Sequence, residues 1–288
     1  MSFYGCAFSY NGIHSSQFNL MIYDFGSVKN EESPKFTSAP EIVEDRMPNK
    51  YKSYYYGSKQ NDPLKIKLVF GLNTDLIDEG KHLDRYDINE IATWLTSSDG
   101  YQWLAIDQPD MEIVRYKCIV SDLSLVEDGS YPYAFSCELQ CDSPFAYLAP
   151  ETFTITSASS NDFTECHVFC KSSFNGYYYP RITIEPTGIY FNSDILIVNE
   201  TDGDRETEFP YEIDGVQNSG IPQSIKKIEI DNDRCIITTY NSSGLEDLDL
   251  YGRFNYNFFR LKRGDNIIKV KGNFNMTITC EFPVNFGG

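Results

Sequence analysis

Apolar and polar side chains alternate without interruption from position 274 to position 282. Successive side chains of a β-strand point to opposite faces, so this pattern predicts a strand with one buried and one solvated face. A helix would instead repeat its apolar positions every three or four residues. The predicted buried residues are Phe274, Met276, Ile278, Cys280 and Phe282, and the residues between them are Asn275, Thr277, Thr279 and Glu281.

Shorter stretches with strand-like texture occur along the rest of the chain, and only one helix is predicted, at about 87–97. Ile88, Ile91 and Leu95 recur there at helical spacing, and Asp87 with Glu90 fits a capping box. We therefore expect a mainly β protein. The predicted strands include residues 64–70, 103–106, 113–120, 133–141, 181–185, 189–199, 225–230 and 234–240.

The length of 288 residues suggests two domains. The strand-like pattern is interrupted at Asp142-Ser143-Pro144. We place the domain boundary there, so that residues 1–147 form the first domain and residues 148–288 the second. The first is predicted to be β-sandwich-like with the single helix. The second is predicted to be an antiparallel β-sandwich, with a hairpin turn at 231–233.

Residues 30–63 do not fit either predicted core. They contain four prolines, many charges and the run Tyr54, Tyr55 and Tyr56. This composition predicts a long loop or an extended arm. Tyrosine is enriched at protein interfaces, so the three tyrosines are candidates for contact with another subunit; a strand with one half-wet face is the alternative.

The formal net charge of −18 disfavours binding to nucleic acid or to anionic membranes, because no cluster of Lys and Arg is present to neutralise phosphates. The sequence shows no signal peptide and no apolar run long enough to span a bilayer. We therefore expect a protein that is made in the cytoplasm, has reduced cysteines and has no membrane partner.

Catalytic and cofactor motifs are absent from the sequence, which contains no G-x-S-x-G, G-x-G-x-x-G, P-loop or H-E-x-x-H pattern. We predict no enzyme activity and no cofactor, although 42 acidic residues leave a two-carboxylate glycosidase open. Cys137, Cys141, Cys166 and Cys170 have a spacing that zinc tolerates. In strands, however, each pair would lie about 13 Å apart, which favours core cysteines.

Three further segments invite a binding hypothesis. The acidic segment 200–206 could attract calcium but lacks EF-hand spacing, so a solvated loop is favoured. Tyr177, Tyr178 and Tyr179, or the segment from Tyr251 to Tyr256, could form an aromatic platform for a sugar. A carbohydrate-binding protein is therefore one functional hypothesis. For residues 177–179 an ordinary strand with one half-wet face is favoured, because a strand-like run begins at Pro180.

The order of motifs along most of the chain resembles the distal tail proteins of siphophages. The motifs are Phe8 to Leu20 with Asn11-Gly12 and Ser15 to Phe18; Ile91 to Leu95; Trp103 to Asp107 with Asp110; Phe135 to Cys137; Asp142 to Tyr147; and Leu261 to Asn266 with Ile268 and Val270. Residues 26–63 match only in position and composition.

This resemblance implies a structural protein at the virion tail tip that forms a homo-hexameric ring and joins the tail tube to the host-adhesion device. It implies a ring-forming first domain, an arm at about 30–63 that embraces the neighbouring subunit, and a galectin-like second domain. The implied partners are the tail tube protein, the tape measure protein, a tail-associated protein and a receptor-binding protein. DNA is expected to pass through the acidic lumen without specific binding.

Overall fold

The computed structural model describes residues 6–23, 41–59, 62–73, 82–109, 112–128, 131–191, 194–210, 220–244 and 250–285. Its contacts divide the chain into two compact units, residues 1–148 with 284–288 and residues 149–283. The protein is mainly β and has antiparallel sheets, as the sequence predicts. The first unit also includes the chain end from Val284, which the sequence did not indicate.

The first unit is built on a sheet with the order β2-β1-β7-β8-β9-β6-β3, and β10 pairs with β8. A separate two-stranded sheet, β4-β5, lies in the predicted arm. The strands are β1 (Phe8–Tyr10), β2 (Ile13–His14), β3 (Leu20–Ile22), β4 (Glu41–Asp45), β5 (Tyr54–Lys59), β6 (Lys65–Leu72), β7 (Gln102–Ile106), β8 (Val114–Asp128), β9 (Tyr131–Cys141) and β10 (Ala146–Leu148).

Helix α1 (Arg85–Thr96) begins earlier than predicted. Asp84 is the N-cap, and its carboxylate accepts hydrogen bonds from the backbone N–H groups of Tyr86 and Asp87. The backbone N–H of Asp84 in turn donates to the Asp87 carboxylate, which completes a capping box. The predicted capping box of Asp87 and Glu90 is therefore wrong by one turn. The reason is that Asp84-x-x-Asp87 satisfies the same two N–H groups earlier in the chain.

The core of the first unit joins α1 to the sheet. The Trp94 ring stacks on Phe8 with centroids 5.7 Å apart, and Phe8 contacts Phe70 at 5.1 Å. The Trp94 indole N–H also donates to the carbonyl of Tyr10. On β9 the alternation predicted for Phe135, Cys137, Leu139 and Cys141 is confirmed, because all four side chains are buried.

The second unit is a sheet with the order β14-β13-β17-β12-β15-β16, in which β11 also pairs along β17. The predicted alternation of residues 274–280 falls inside β17, and the hairpin predicted at 231–233 joins β15 to β16. The strands are β11 (Glu151–Cys170), β12 (Arg181–Pro186), β13 (Ile195–Asn199), β14 (Arg205–Phe209), β15 (Lys227–Asp231), β16 (Ile236–Tyr240) and β17 (Gly264–Cys280). The last strand, β18 (Pro283–Val284), pairs with β10 in the sheet of the first unit.

Strand β17 is the centre of this sheet. Its first part pairs with β13 and its later part with β12, while β11 follows the other edge. The change of partner occurs near Gly272, whose φ is 140°. A Cβ at this position would lie 2.4 Å from the carbonyl oxygen of Asp194, so only glycine fits this close approach.

Candidate functional site

The predicted arm contains an exposed hairpin. Strands β4 and β5 pair from Glu41↔Lys59 to Asp45↔Tyr54, and the register shifts between Val43 and Glu44. The positive φ of Gly57, 138°, accompanies this irregularity. Residues 30–40 and 60–61 of the predicted arm lie outside the described residues.

All three tyrosines of the arm are exposed, Tyr54 by 42% and both Tyr55 and Tyr56 by 66%. Among the described side chains of the hairpin, only Val43 is partly buried. A two-stranded hairpin is marginally stable in water unless another surface covers one face. The geometry therefore provides a surface of apolar rings that could be covered by a partner.

The three tyrosines 177–179 do not share one exposed face. The Tyr178 ring packs on Phe282 with centroids 4.9 Å apart, and its hydroxyl accepts from the N–H of Glu281. Burial raises the pKa of this hydroxyl. The guanidinium of Arg260 lies 3.6 Å from the centroid of Tyr177, which leaves Tyr179 as the exposed member of the group.

In the segment from Tyr251 to Tyr256, the ring that is exposed to solvent is that of Tyr256. The Tyr251 hydroxyl accepts from the N–H of Ile237 and is bound into the edge of β16. Tyr256 is 59% exposed and has a φ of 57°, a left-handed conformation that is rare for an aromatic residue. The Asn255 amide donates to the carbonyl of Glu206 and fixes this turn against β14.

The acidic segment 200–206 is not the solvated loop that the sequence favoured. Residues Glu200–Asp202 form a short 3₁₀-helix, and the Asp202 side chain is only 2% exposed. Its carboxylate accepts from Arg260 at 2.6 Å and lies 3.5 Å from the ammonium of Lys262. Burial alone would raise the pKa of Asp202, but the hydrogen bond and charge of Arg260 outweigh it and lower the pKa.

Sequence reasoning missed the Asp202–Arg260 pair because no local pattern links residues that are distant in sequence. A second long-range pair joins His14 on β2 to Asp107 after β7, with the imidazole Nε2 2.8 Å from the carboxylate. His14 Nδ1 also lies 2.6 Å from the Ser16 hydroxyl. This exposed contact connects the first hairpin to the end of β7.

The four cysteines with zinc-like spacing lie on strands, Cys137 and Cys141 on β9 and Cys166 and Cys170 on β11. Cys137 and Cys141 are buried on β9, and Cys170 is buried on β11. Burial raises the pKa of Cys137 to about 12, so its thiol is protonated at neutral pH. Within the described ranges no group of three or more His, Cys, Asp or Glu side chains is arranged to hold a metal ion.

One cleft of about 380 Å³ lies beside the end of β7 in the first unit. Ala105, Ile106 and Pro109 supply apolar atoms, while Asp107 and Glu112 supply carboxylates. The residues that line this cleft include no Ser, Thr or Cys nucleophile with a neighbouring general base. No helix in the described part of the chain is long and apolar enough to cross a membrane.

Two family models cover nearly the whole chain. The phage tail protein N-terminal domain matches residues 3–143, and the phage tail C-terminal domain matches residues 145–280. A comparison with curated proteins finds no significant match.

Solved structures share the fold over almost the full length. The crystal structure of the distal tail (Dit) protein of phage SPP1, described as a paradigm of hub adsorption apparatus in phages that infect Gram-positive bacteria, is similar with a TM-score of 0.62. That match has 12% identity and covers 96% of this chain and 99% of the other.

The baseplate of phage P2 in its activated conformation with calcium contains a chain that is similar with a TM-score of 0.55. The match has 10% identity and covers 98% of this chain and 99% of the other. Because both family models describe phage tail domains and together span both units, this chain belongs to the phage tail protein family and has the fold of the distal tail hub proteins.

Proposed function

We propose that this protein is a structural, non-enzymatic subunit of a homo-hexameric hub at the tail tip of a long-tailed phage. The observation that carries the proposal is the exposed hairpin of β4 and β5, in which Tyr54, Tyr55 and Tyr56 are all exposed to solvent. In a ring, each arm covers these rings against the neighbouring subunit. The similarity to a hub protein of known structure supports the same role.

The partners of such a hub follow from its position. Its ring joins the tail tube protein and the tape measure protein on one side. It joins a tail-associated protein and a receptor-binding protein on the other. The net charge of −18 on each copy lets DNA pass the lumen without specific binding. Assembly in the host cytoplasm agrees with buried thiols that need no oxidation.

The mass of the purified full-length protein in solution tests this proposal, together with negative-stain images. We expect hexamers with a central hole, and we expect deletion of residues 36–60 to leave folded monomers that lose only the β-sheet circular dichroism signal of the β4-β5 hairpin. The control is the full-length variant Lys67→Ala, which changes an exposed residue of β6 and should still form hexamers. Hexamers that persist without residues 36–60 would contradict the role of the arm.

A weaker second candidate is attachment to host-surface carbohydrate by the second unit. The observation that favours it is Tyr256, an exposed ring in a left-handed backbone conformation that the Asn255 amide holds in place. Tyr179 offers a second exposed ring. Binding of the full-length protein to a glycan array, abolished by Tyr256→Ala and kept by Tyr190→Ala, would support this function.

A further inference from the structure

The arm hairpin has a strongly uneven distribution of charge. From position 46 to position 61 the sequence contains Arg46, Lys50, Lys52 and Lys59 and no acidic residue, in a chain whose net charge is −18. The acidic residues of the hairpin all lie on β4, at Glu41, Glu44 and Asp45. The turn and the returning strand therefore form one basic surface, which we call the basic strand (residues 46–59).

The basic strand also carries the exposed rings of the arm. Tyr51 is 85% exposed, and Met47 beside it is 48% exposed. The Lys52 ammonium lies 5.5 Å from the centroid of Tyr51, and the Lys50 ammonium lies 5.1 Å from that of Tyr54. Tyrosine is enriched in protein interfaces, and the cations favour a partner surface that carries carboxylates.

A surface of that chemistry exists in the first unit. The cleft beside β7 combines apolar atoms of Ala105, Ile106 and Pro109 with the carboxylates of Asp107 and Glu112. Its volume of about 380 Å³ is within the range of protein pockets that take a small molecule or a large side chain. Ile113, next to Glu112, is 60% exposed and extends the apolar part of this surface.

We propose that the basic strand of one copy docks into the Asp107–Glu112 cleft of a second copy. The inference rests on the proposed function, because it names the surface that receives the arm in the ring. Lysines of the basic strand meet the carboxylates of Glu112 and Asp107, the second of which also binds His14 of its own copy, and a tyrosine ring covers the apolar atoms of the cleft. Charge complementarity selects a copy of this chain as the partner, since the same sequence supplies both halves.

Nucleic acid is the weaker choice for the basic strand. Four cations spread over a hairpin neutralise few phosphates, while the acidic remainder of the chain repels DNA. The exposed Met47 and Ile42, 48% and 63%, are side chains that a protein surface covers better than a phosphate backbone does. Binding of a DNA duplex by the arm is therefore an outcome that would count against the proposal.

The contact can be detected by cross-linking the full-length protein with a carbodiimide, which joins a lysine amine to a carboxylate as an amide while the carbodiimide takes up the displaced oxygen and leaves as a urea. Equal amounts of ¹⁴N-labelled and ¹⁵N-labelled protein are mixed, so that mass spectrometry separates links between copies from links within one copy. We expect mixed-isotope links from Lys50 or Lys52 to Glu112 or Asp107.

Charge reversal provides a second, independent measurement. Lys50→Glu and Glu112→Lys should each raise the dissociation constant of the assembly on the order of tenfold, and the double variant should recover most of that loss. Lys67→Glu, an equal charge change on an exposed residue of β6, should leave the dissociation constant unchanged. Circular dichroism confirms that each variant is folded.

The outcomes separate this proposal from the proposed hub. If hexamers form but the arm lysines link to other acids, or if the double variant shows no recovery, the cleft is not the receptor and the hub proposal stands. If the protein stays monomeric at every concentration and no mixed-isotope link forms, both fail. Binding of the basic strand to a DNA duplex at physiological salt without intercopy links would also overturn the inference.

Discussion

The guanidinium Nε of Arg260 lies 2.6 Å from the Oδ2 atom of Asp202, whose side chain is 2% exposed. This pair fixes the 3₁₀-helix at 200–202 to the strand-like segment before β17. A buried carboxylate is stable in its charged form only with such a partner, because desolvation disfavours the charge. The Tyr177 ring packs on the same guanidinium, whose carbon lies 3.6 Å from the ring centroid.

Replacement of Asp202 by Ala should lower the free energy of unfolding by about 3 kcal/mol, because it leaves the partly buried charge of Arg260 without its closest partner. Urea unfolding followed by far-UV circular dichroism measures this change. Asp233→Ala, in the exposed turn between β15 and β16, is the matched control and should change the stability by less than about 0.5 kcal/mol. Equal effects of the two substitutions would mean that the pair has no stabilising role.

His167 on β11 should titrate above the ordinary histidine range. The hydrogen bond from its Nδ1 atom to Asp265 raises its pKa, and the carboxylate charges of Asp265 and Glu165 raise it further. A raised folded-state pKa means that the contribution to stability is complete at pH values below about 6.5 and is lost as the pH rises through the folded-state pKa.

An NMR titration of the His167 ring protons checks this prediction. Asp265→Asn removes the charged acceptor and should bring the pKa down towards the ordinary value. Asp162→Asn, also on β11, is the control and should leave the titration curve in place. An unchanged curve in Asp265→Asn would show that the contact does not form in solution.

Trp94→Phe should lower the free energy of unfolding by about 1 kcal/mol, because phenylalanine keeps a ring against Phe8 but cannot donate to the carbonyl of Tyr10. Urea unfolding monitored by circular dichroism avoids the loss of tryptophan fluorescence. The partly exposed Trp103→Phe is the matched control and should have a smaller effect. A larger loss for Trp103 than for Trp94 would contradict the assignment of α1 to the core.

Gly272→Ala should destabilise the protein by about 3 kcal/mol, because its Cβ would meet the Asp194 carbonyl at 2.4 Å and the Phe274 ring at 2.7 Å. The left-handed φ of 140° adds strain that alanine cannot relieve. Gly188→Ala is the control, since a Cβ there has no neighbour within 4 Å. Thermal unfolding compares the two, and equal melting temperatures would show that Gly272 does not approach the Asp194 carbonyl this closely in solution.

The strand content was predictable because the relevant signal is local. The two-residue alternation of Phe135 to Cys141 and of Phe274 to Cys280 is confirmed by their burial. The helix was predicted too, but its first turn was wrong since two overlapping Asp-containing patterns compete and only hydrogen-bond geometry decides between them. The arm stood out because its composition offers no buried face.

The candidate surfaces were harder to predict. The sequence grouped Tyr177, Tyr178 and Tyr179 as one platform, whereas the structure packs Tyr178 on Phe282 and covers Tyr177 with Arg260. It also favoured a solvated loop at Asp202, because the cation that neutralises this residue lies far along the chain. Contacts between distant residues depend on strand order and register, which no local pattern contains.

The sequence by itself determined the class of fold, since alternation and composition act over a few residues and fix where strands, the helix and the arm lie. Its chain-long order of motifs also determined the family. Only the tertiary structure decided which tyrosines remain exposed, that Asp202 is buried against Arg260, and that an acidic cleft lies at the end of β7. These properties arise when strands distant in sequence pair, and burial and charge balance depend on that pairing.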